Sequence, residues 1–309
     1  MNKNQNDFEL FRLRSTGAII RDGYRLYMDS FRRIFRCSWL VALVYAISYG
    51  VMTTFVLDEM IGNPKLSLLV AAVSLLVGSL LTGTGMSLLY EHRQSGSIPT
   101  SQHWYGFFDK KTMLRTFAMT ISFFVVLLLY LFLAVFVGTR LAVSLSRIAT
   151  LVVVFLMAFI PVLCVPSVLM YMYDFIISPS SKNPFSGRFP LRYWGGAFII
   201  FIVVTIVCLL MVTITQLPAN ILMIANIRSR AGILIGDPTG MPDYMTELKL
   251  IVFTLAGFIQ AFVTLSSLFP FYYLYGSVQA QEQERADMKQ KMNGQQSSFS
   301  QQQDYIEYE

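Results

Sequence analysis

Ser122-Phe123-Phe124-Val125-Val126-Leu127-Leu128-Leu129-Tyr130-Leu131-Phe132-Leu133 carries no charged side chain, and it lies inside an apolar run covering about residues 113–138. At about 1.5 Å of rise per residue, a helical run of that length crosses the roughly 30 Å hydrocarbon core of a bilayer. Five more such runs lie at about 38–57, 66–90, 149–177, 195–217 and 250–275. Backbone polar groups in lipid must be satisfied within their own segment, so helices are the economical form for all six. The sequence therefore predicts an all-α fold, a polytopic membrane helical bundle with six transmembrane helices (spans 1 to 6) and an N-terminal interfacial amphipathic helix. The expected organisation is a cytoplasmic N-terminus with that helix over 1–37, the membrane domain over 38–275, and a cytoplasmic tail over 276–309, helical and then disordered. The first run starts near Ser38, beyond where a cleavable signal normally ends, so the N-terminus is expected to stay where it is made.

Orientation follows from Lys and Arg at alternate ends of the runs, because cytoplasmic segments retain positive charge. One side holds Lys3, Arg12, Arg14, Arg21, Arg25, Arg32, Arg33 and Arg36, then Arg93, Lys110, Lys111 and Arg115, then Lys182, Arg188 and Arg192, and finally Arg285, Lys289 and Lys291. The other holds Lys65, Arg140, Arg147, Arg228, Arg230 and Lys249. Both termini are expected in the cytoplasm. The net charge of +6 is then a topology signal spread around helix ends, and no nucleic-acid partner is implied. Cys37, Cys164 and Cys208 sit at or within spans and read as packing residues.

Ahead of span 1, Ile20, Tyr24, Tyr27, Phe31 and Ile34 recur at helical spacing, with Arg21, Arg25, Arg32 and Arg36 following about 100° around. This pattern describes a helix in the headgroup layer, its aromatic stripe toward the acyl chains and its guanidiniums toward phosphates, with a bend near Cys37-Ser38-Trp39. Arg21, Arg25, Phe31, Arg32 and Arg36 are the lipid-interface candidates; two roles stand, a topology anchor and a contact for headgroups or a partner. Similar aromatic-basic elbows precede span 3 (Trp104-Tyr105-Gly106-Phe107-Phe108-Asp109-Lys110-Lys111) and span 5 (185–194). Tyr90, Tyr171 with Tyr173, and Tyr272 with Tyr273 and Tyr275 mark the ends of the even spans. Together these suggest three repeats of elbow plus helical hairpin, although inner interfaces attract such residues in any case.

Ser74, Gly78, Ser79, Gly83 and Ser87 give span 2 small faces for close helix packing. Spans 4 to 6 carry or adjoin Pro161, Pro166, Pro218 and Pro270, which free carbonyls and bend the rods. Thr213, Thr215, Gln216 and Asn220 gather near Pro218, and Gln260, Thr264, Ser266 and Ser267 in span 6. Gln216, Asn220 and Gln260 are the cavity-lining candidates, with hydrogen bonding between helices as the competing role. The loop between spans 5 and 6 holds the turn cluster of 236–243, and 293–303 is Gly-, Gln- and Ser-rich, the composition of disorder.

Reactive constellations are sparse. Glu91 and His92 do not form a helical HExxH site, Gly83-Thr84-Gly85 has no Lys to make a phosphate loop, and no nucleophile elbow occurs. No cofactor or metal is implied. Asp174 is expected at the inner interface beside Arg188 or Arg192. The basic-aromatic stretch of 23–36 feeding six spans, with its elbow repeats, resembles a loose group of bacterial six-helix inner-membrane proteins. It is similar in outline, over about residues 15–280, to the membrane domain fused to some glycerophosphodiester phosphodiesterases. No catalytic motif of that family is present, so the resemblance implies a bacterial inner-membrane accessory to lipid or envelope processes. The expected function is a non-enzymatic scaffold or accessory engaging membrane lipids or a membrane-protein partner. The alternatives are a transporter or channel using the kinked spans 4–6 and, third, a lipid enzyme whose surface would be Glu91, His92 and Asp109.

Overall fold

The computed structural model describes residues 10–59, 64–98, 110–144, 147–177, 193–235, 242 and 244–306. Among them are eight helices and no strand: α1 (Thr16–Asp29), α2 (Phe31–Glu59), α3 (Pro64–Ser95), α4 (Lys110–Ser144), α5 (Arg147–Ile177), α6 (Trp194–Thr215), α7 (Leu217–Ile235) and α8 (Met245–Ile306). α2 to α6 and α8 are the six helices long and apolar enough to span a membrane, each on one of the runs read from the sequence. The chain is an all-α, multi-pass membrane protein. The second and third elbows, at 104–109 and 185–192, lie outside the described residues, as do Asp109, Lys182, Arg188, Arg192 and the turn cluster at 236–241.

Local chemistry sets the helix ends. The Ser15 hydroxyl accepts the Ala18 N–H at 3.4 Å and so caps α1. Ser30 both closes α1, donating its N–H to Leu26 at 3.1 Å, and opens α2, its carbonyl accepting from Arg33 and Ile34 at 2.9 and 3.0 Å. The bend is therefore at Ser30 and not near Cys37. Ser38 is buried inside α2, its hydroxyl donating to the Ile34 carbonyl at 2.7 Å, a bond that lets serine continue a helix. α3 outlasts its apolar run and ends where Gly96 takes φ 73°, a conformation open to glycine, with its N–H on the His92 carbonyl. Glu91 and His92 are consequently in the last turns of α3.

Proline placement explains the kinked half. Pro161 frees the Met157 carbonyl of α5, and the Tyr130 hydroxyl of α4 donates to it. Beside the gap left by Pro166, the Leu163 carbonyl accepts the Trp194 indole N–H at 3.0 Å. Span 5 breaks at Gln216, two residues before Pro218, and the chain continues as the separate helix α7. The backbone of α8 stays helical to Ile306, through the stretch read as disordered. Glutamine is a good helix former, and no proline follows Pro270.

α8 is the axis of the bundle, packing against α1, α2, α3, α5, α6 and α7. The core is one cluster around it that includes Ile34, Leu89, Tyr173, Ile200, Leu265, Phe269 and Tyr272. α4 packs on α3 and α5 and is otherwise open, with Val126, Leu129 and Phe132 each more than half exposed. The small residues of α3 serve several partners: the hydroxyls of Ser74 and Ser48 of α2 are 3.4 Å apart, while Gly83 faces Met113 of α4 and Gly85 faces Leu265 and Leu268 of α8.

Candidate functional site

The N-terminal arm docks along α8. Ile19, Gly23 and Tyr27 form the buried face of α1. A methyl on Gly23 would lie 2.6 Å from backbone atoms of Pro270, so only glycine admits this approach. The Tyr27 hydroxyl donates to the Phe262 carbonyl at 3.0 Å, and its ring meets Phe269 edge-on at 5.2 Å. Toward the N-terminus, Leu10 packs on Gly276, the Arg14 N–H donates to Ser277 Oγ at 3.3 Å, and the Arg14 guanidinium lies 4.7 Å from the Tyr273 ring centroid. Arg14 also pairs with Asp22 at 3.3 Å. The stripe that the sequence aims at acyl chains is largely turned onto protein, because α8 offers it an apolar groove with a carbonyl for the tyrosine.

The basic face stays outward. Arg21, Arg25, Phe31, Arg32 and Arg36 are all exposed, two of the arginines on α1 and two on the first turns of α2. Arg21 contacts Asp22 at 3.3 Å and Arg25 contacts Asp29 at 3.6 Å, with both arginine side chains about three-quarters exposed, so these pairs contribute little. Among the described residues Arg32 and Arg36 have no ion pair. Phe31 is 40% exposed and its ring touches Phe262 at 5.9 Å, placing it at the edge between arm, α8 and surroundings. Burial pushes the Tyr24 phenol up to about 12, with a smaller contribution from the neighbouring Cys208 thiol of α6, and it pushes Tyr27 up as well. The buried Tyr24 hydroxyl has no oxygen or nitrogen partner among the described residues.

The cavity-lining candidates divide. Gln216 Nε2 donates to Gln260 Oε1 at 2.7 Å, joining the α6–α7 break to α8 through an amide pair whose Gln216 member is buried and whose Gln260 member is half-buried. Asn220 is exposed and does not join them. Lys249, counted among the outer charges, is buried in the first turns of α8.

A second polar cluster joins the C-terminal ends of α3 and α5 to α8, and its members are scattered in the sequence. Asp174 Oδ1 accepts from the Tyr275 hydroxyl at 3.1 Å and Gln279 Nε2 at 3.4 Å, while the arginines expected beside it lie outside the described residues. The buried Tyr173 donates to the Leu268 carbonyl at 2.6 Å, and His92 Nδ1 lies 3.2 Å from the Tyr272 hydroxyl. Arg93 donates to the Ile177 carbonyl and covers the Phe11 ring at 5.2 Å. The signal that points here is the tyrosine pattern at the ends of the even spans, whose hydroxyls reach across to neighbouring helices. No protein-family model, curated protein or solved structure matches the chain.

Proposed function

We propose that this chain is a non-enzymatic scaffold or accessory of the bacterial inner membrane, both termini cytoplasmic, that engages anionic lipid headgroups and a membrane partner beside them. The observation that carries this reading is the N-terminal arm, held on α8 by one face while Arg21, Arg25, Arg32 and Arg36 remain outward on the other. Each arginine near an anionic surface contributes on the order of 1 kcal/mol, so the four act as a patch and no single one is decisive. The absence of a reactive constellation in the sequence supports a non-enzymatic role. The test is extraction in native-lipid particles, with lipids and proteins identified by mass spectrometry. Changing all four arginines to glutamine should lower the anionic share of co-purified lipid and release any partner; an unchanged lipid profile would sink the headgroup reading.

A second reading, a transporter or channel for a small solute, draws on the Gln216–Gln260 pair at a helix break, since discontinuous helices often build solute sites. Solute flux into proteoliposomes that is lost with Gln260→Leu would favour it.

A further inference from the structure

Where α5 and α6 cross, the Leu163 carbonyl and the Trp194 indole N–H satisfy one another, and beside them lies a groove of about 650 Å³, open to the surroundings and lined by Leu163, Cys164, Ser167, Val168 and Trp194. Its volume falls among those of small-molecule sites, roughly 300–1,000 Å³. The lining is almost wholly apolar, so water would find few partners there and an alkyl chain would gain contacts along both helices. Both walls belong to membrane-spanning segments, where the surrounding medium is hydrocarbon. At the α6 end of the seam the Arg285 guanidinium lies 5.0 Å from the ring centroid of Tyr193, the residue before Trp194.

We infer that this seam is a lipid site, holding one acyl chain of an anionic phospholipid with its phosphate toward Arg285. The alkyl chain fits an apolar slot, and the cation answers the headgroup. The inference rests on the membrane reading but not on the arginines of the N-terminal arm, so either can fail alone.

The test uses Trp194 as the reporter, in full-length protein carrying Trp39→Phe and Trp104→Phe, reconstituted in phosphatidylcholine vesicles with increasing phosphatidylglycerol brominated on its acyl chains. The control reporter is Ile199→Trp, on the exposed face of the same helix, in a chain whose three native tryptophans are phenylalanine. A held lipid should bring Trp194 to half-quenching at about a tenfold lower bromolipid fraction than the control, as a tenfold site preference requires. Ser167→Phe, which fills the slot, should abolish that difference. Should that variant not fold, a hexyl disulfide on Cys164 of the folded protein, with Cys37 and Cys208 changed to alanine, fills the same space. Quenching of Trp194 that merely tracks the control overturns the site. Protection of Trp194 at every bromolipid fraction also overturns it, by showing that protein, such as a second copy of the chain, occupies the seam.

Discussion

Gly23→Ala sets two effects of opposite sign against each other. Gly23 is interior to α1, where alanine is favoured over glycine by about 1 kcal/mol. The added methyl, however, would stand 2.6 Å from Pro270 Cα and N and 3.0 Å from the Phe269 carbonyl carbon. Carbon atoms rest about 3.5–4.0 Å apart, and backbone at a proline cannot rotate aside, so α1 must withdraw by about 1 Å. Such overpacking costs about 1–3 kcal/mol. Withdrawal also loosens the Tyr27 bond to Phe262, about 1 kcal/mol more. Against the propensity gain the net is a loss of about 1–3 kcal/mol. Gly17→Ala is the control, because nothing lies within 4 Å of a methyl there, and it should stabilise by up to about 1 kcal/mol. The assay is thermal unfolding in detergent together with maleimide labelling of Cys208, which neighbours Tyr24, in a background of Cys37→Ala and Cys164→Ala. Gly23→Ala should lower the melting temperature and speed labelling about tenfold, the factor that 1.4 kcal/mol of easier opening provides. A variant that raises the melting temperature as Gly17→Ala does, with Cys208 still protected, would refute the docking.

Gln216→Leu alone strands the Gln260 amide and should cost about 1–3 kcal/mol, whereas the double change to leucine should recover most of it; simple additivity in the cycle would deny the pairing. The phenols of Tyr24 and Tyr27 have folded pKa values above the unfolded value of about 10, so the docked arm binds their protons more tightly. Its stability is complete below that pH and declines as pH rises toward about 12, and Tyr27→Phe should flatten the fall of melting temperature in alkali; identical slopes would count against burial of the phenol. Single cysteines placed near Lys65 and Arg140 should label from outside the cell and one near Lys110 only after the membrane is opened, with the reverse pattern inverting the proposed orientation.

The spans were legible because an apolar run is a one-dimensional signal: α3, α4, α5 and α6 begin within a few residues of the runs that announce them. What periodicity hides is the neighbour of an apolar face. Lipid tails and the flank of α8 are equally apolar, so the stripe of Tyr24 and Tyr27 reads alike for either, and only the folded chain turns it onto Pro270 and Phe262. The start of α2 at Phe31, ahead of the apolar run, is hidden for a related reason: the same helical spacing runs through Ser30, and one serine can serve both helices. Gln216 and Gln260 were recognisable as polar residues at membrane depth, yet nothing in the sequence aligns positions so far apart. Asn220 was grouped with them by proximity to Pro218, but the break at Gln216 resets the face on which the following helix presents it.

The bond from Tyr27 to Phe262 spans 235 residues. At synthesis rates of about 5–20 residues per second, the docking face of α1 waits roughly 12–50 s before its acceptor exists. A partly apolar helix cannot wait in water, and the headgroup layer is the nearest shelter, with the arginines facing the phosphates. The stripe that the sequence aims at acyl chains is the face that docks, and its docking waits on the synthesis of α8. A helix made long before α8 reaches its place only once α8 is there to receive it.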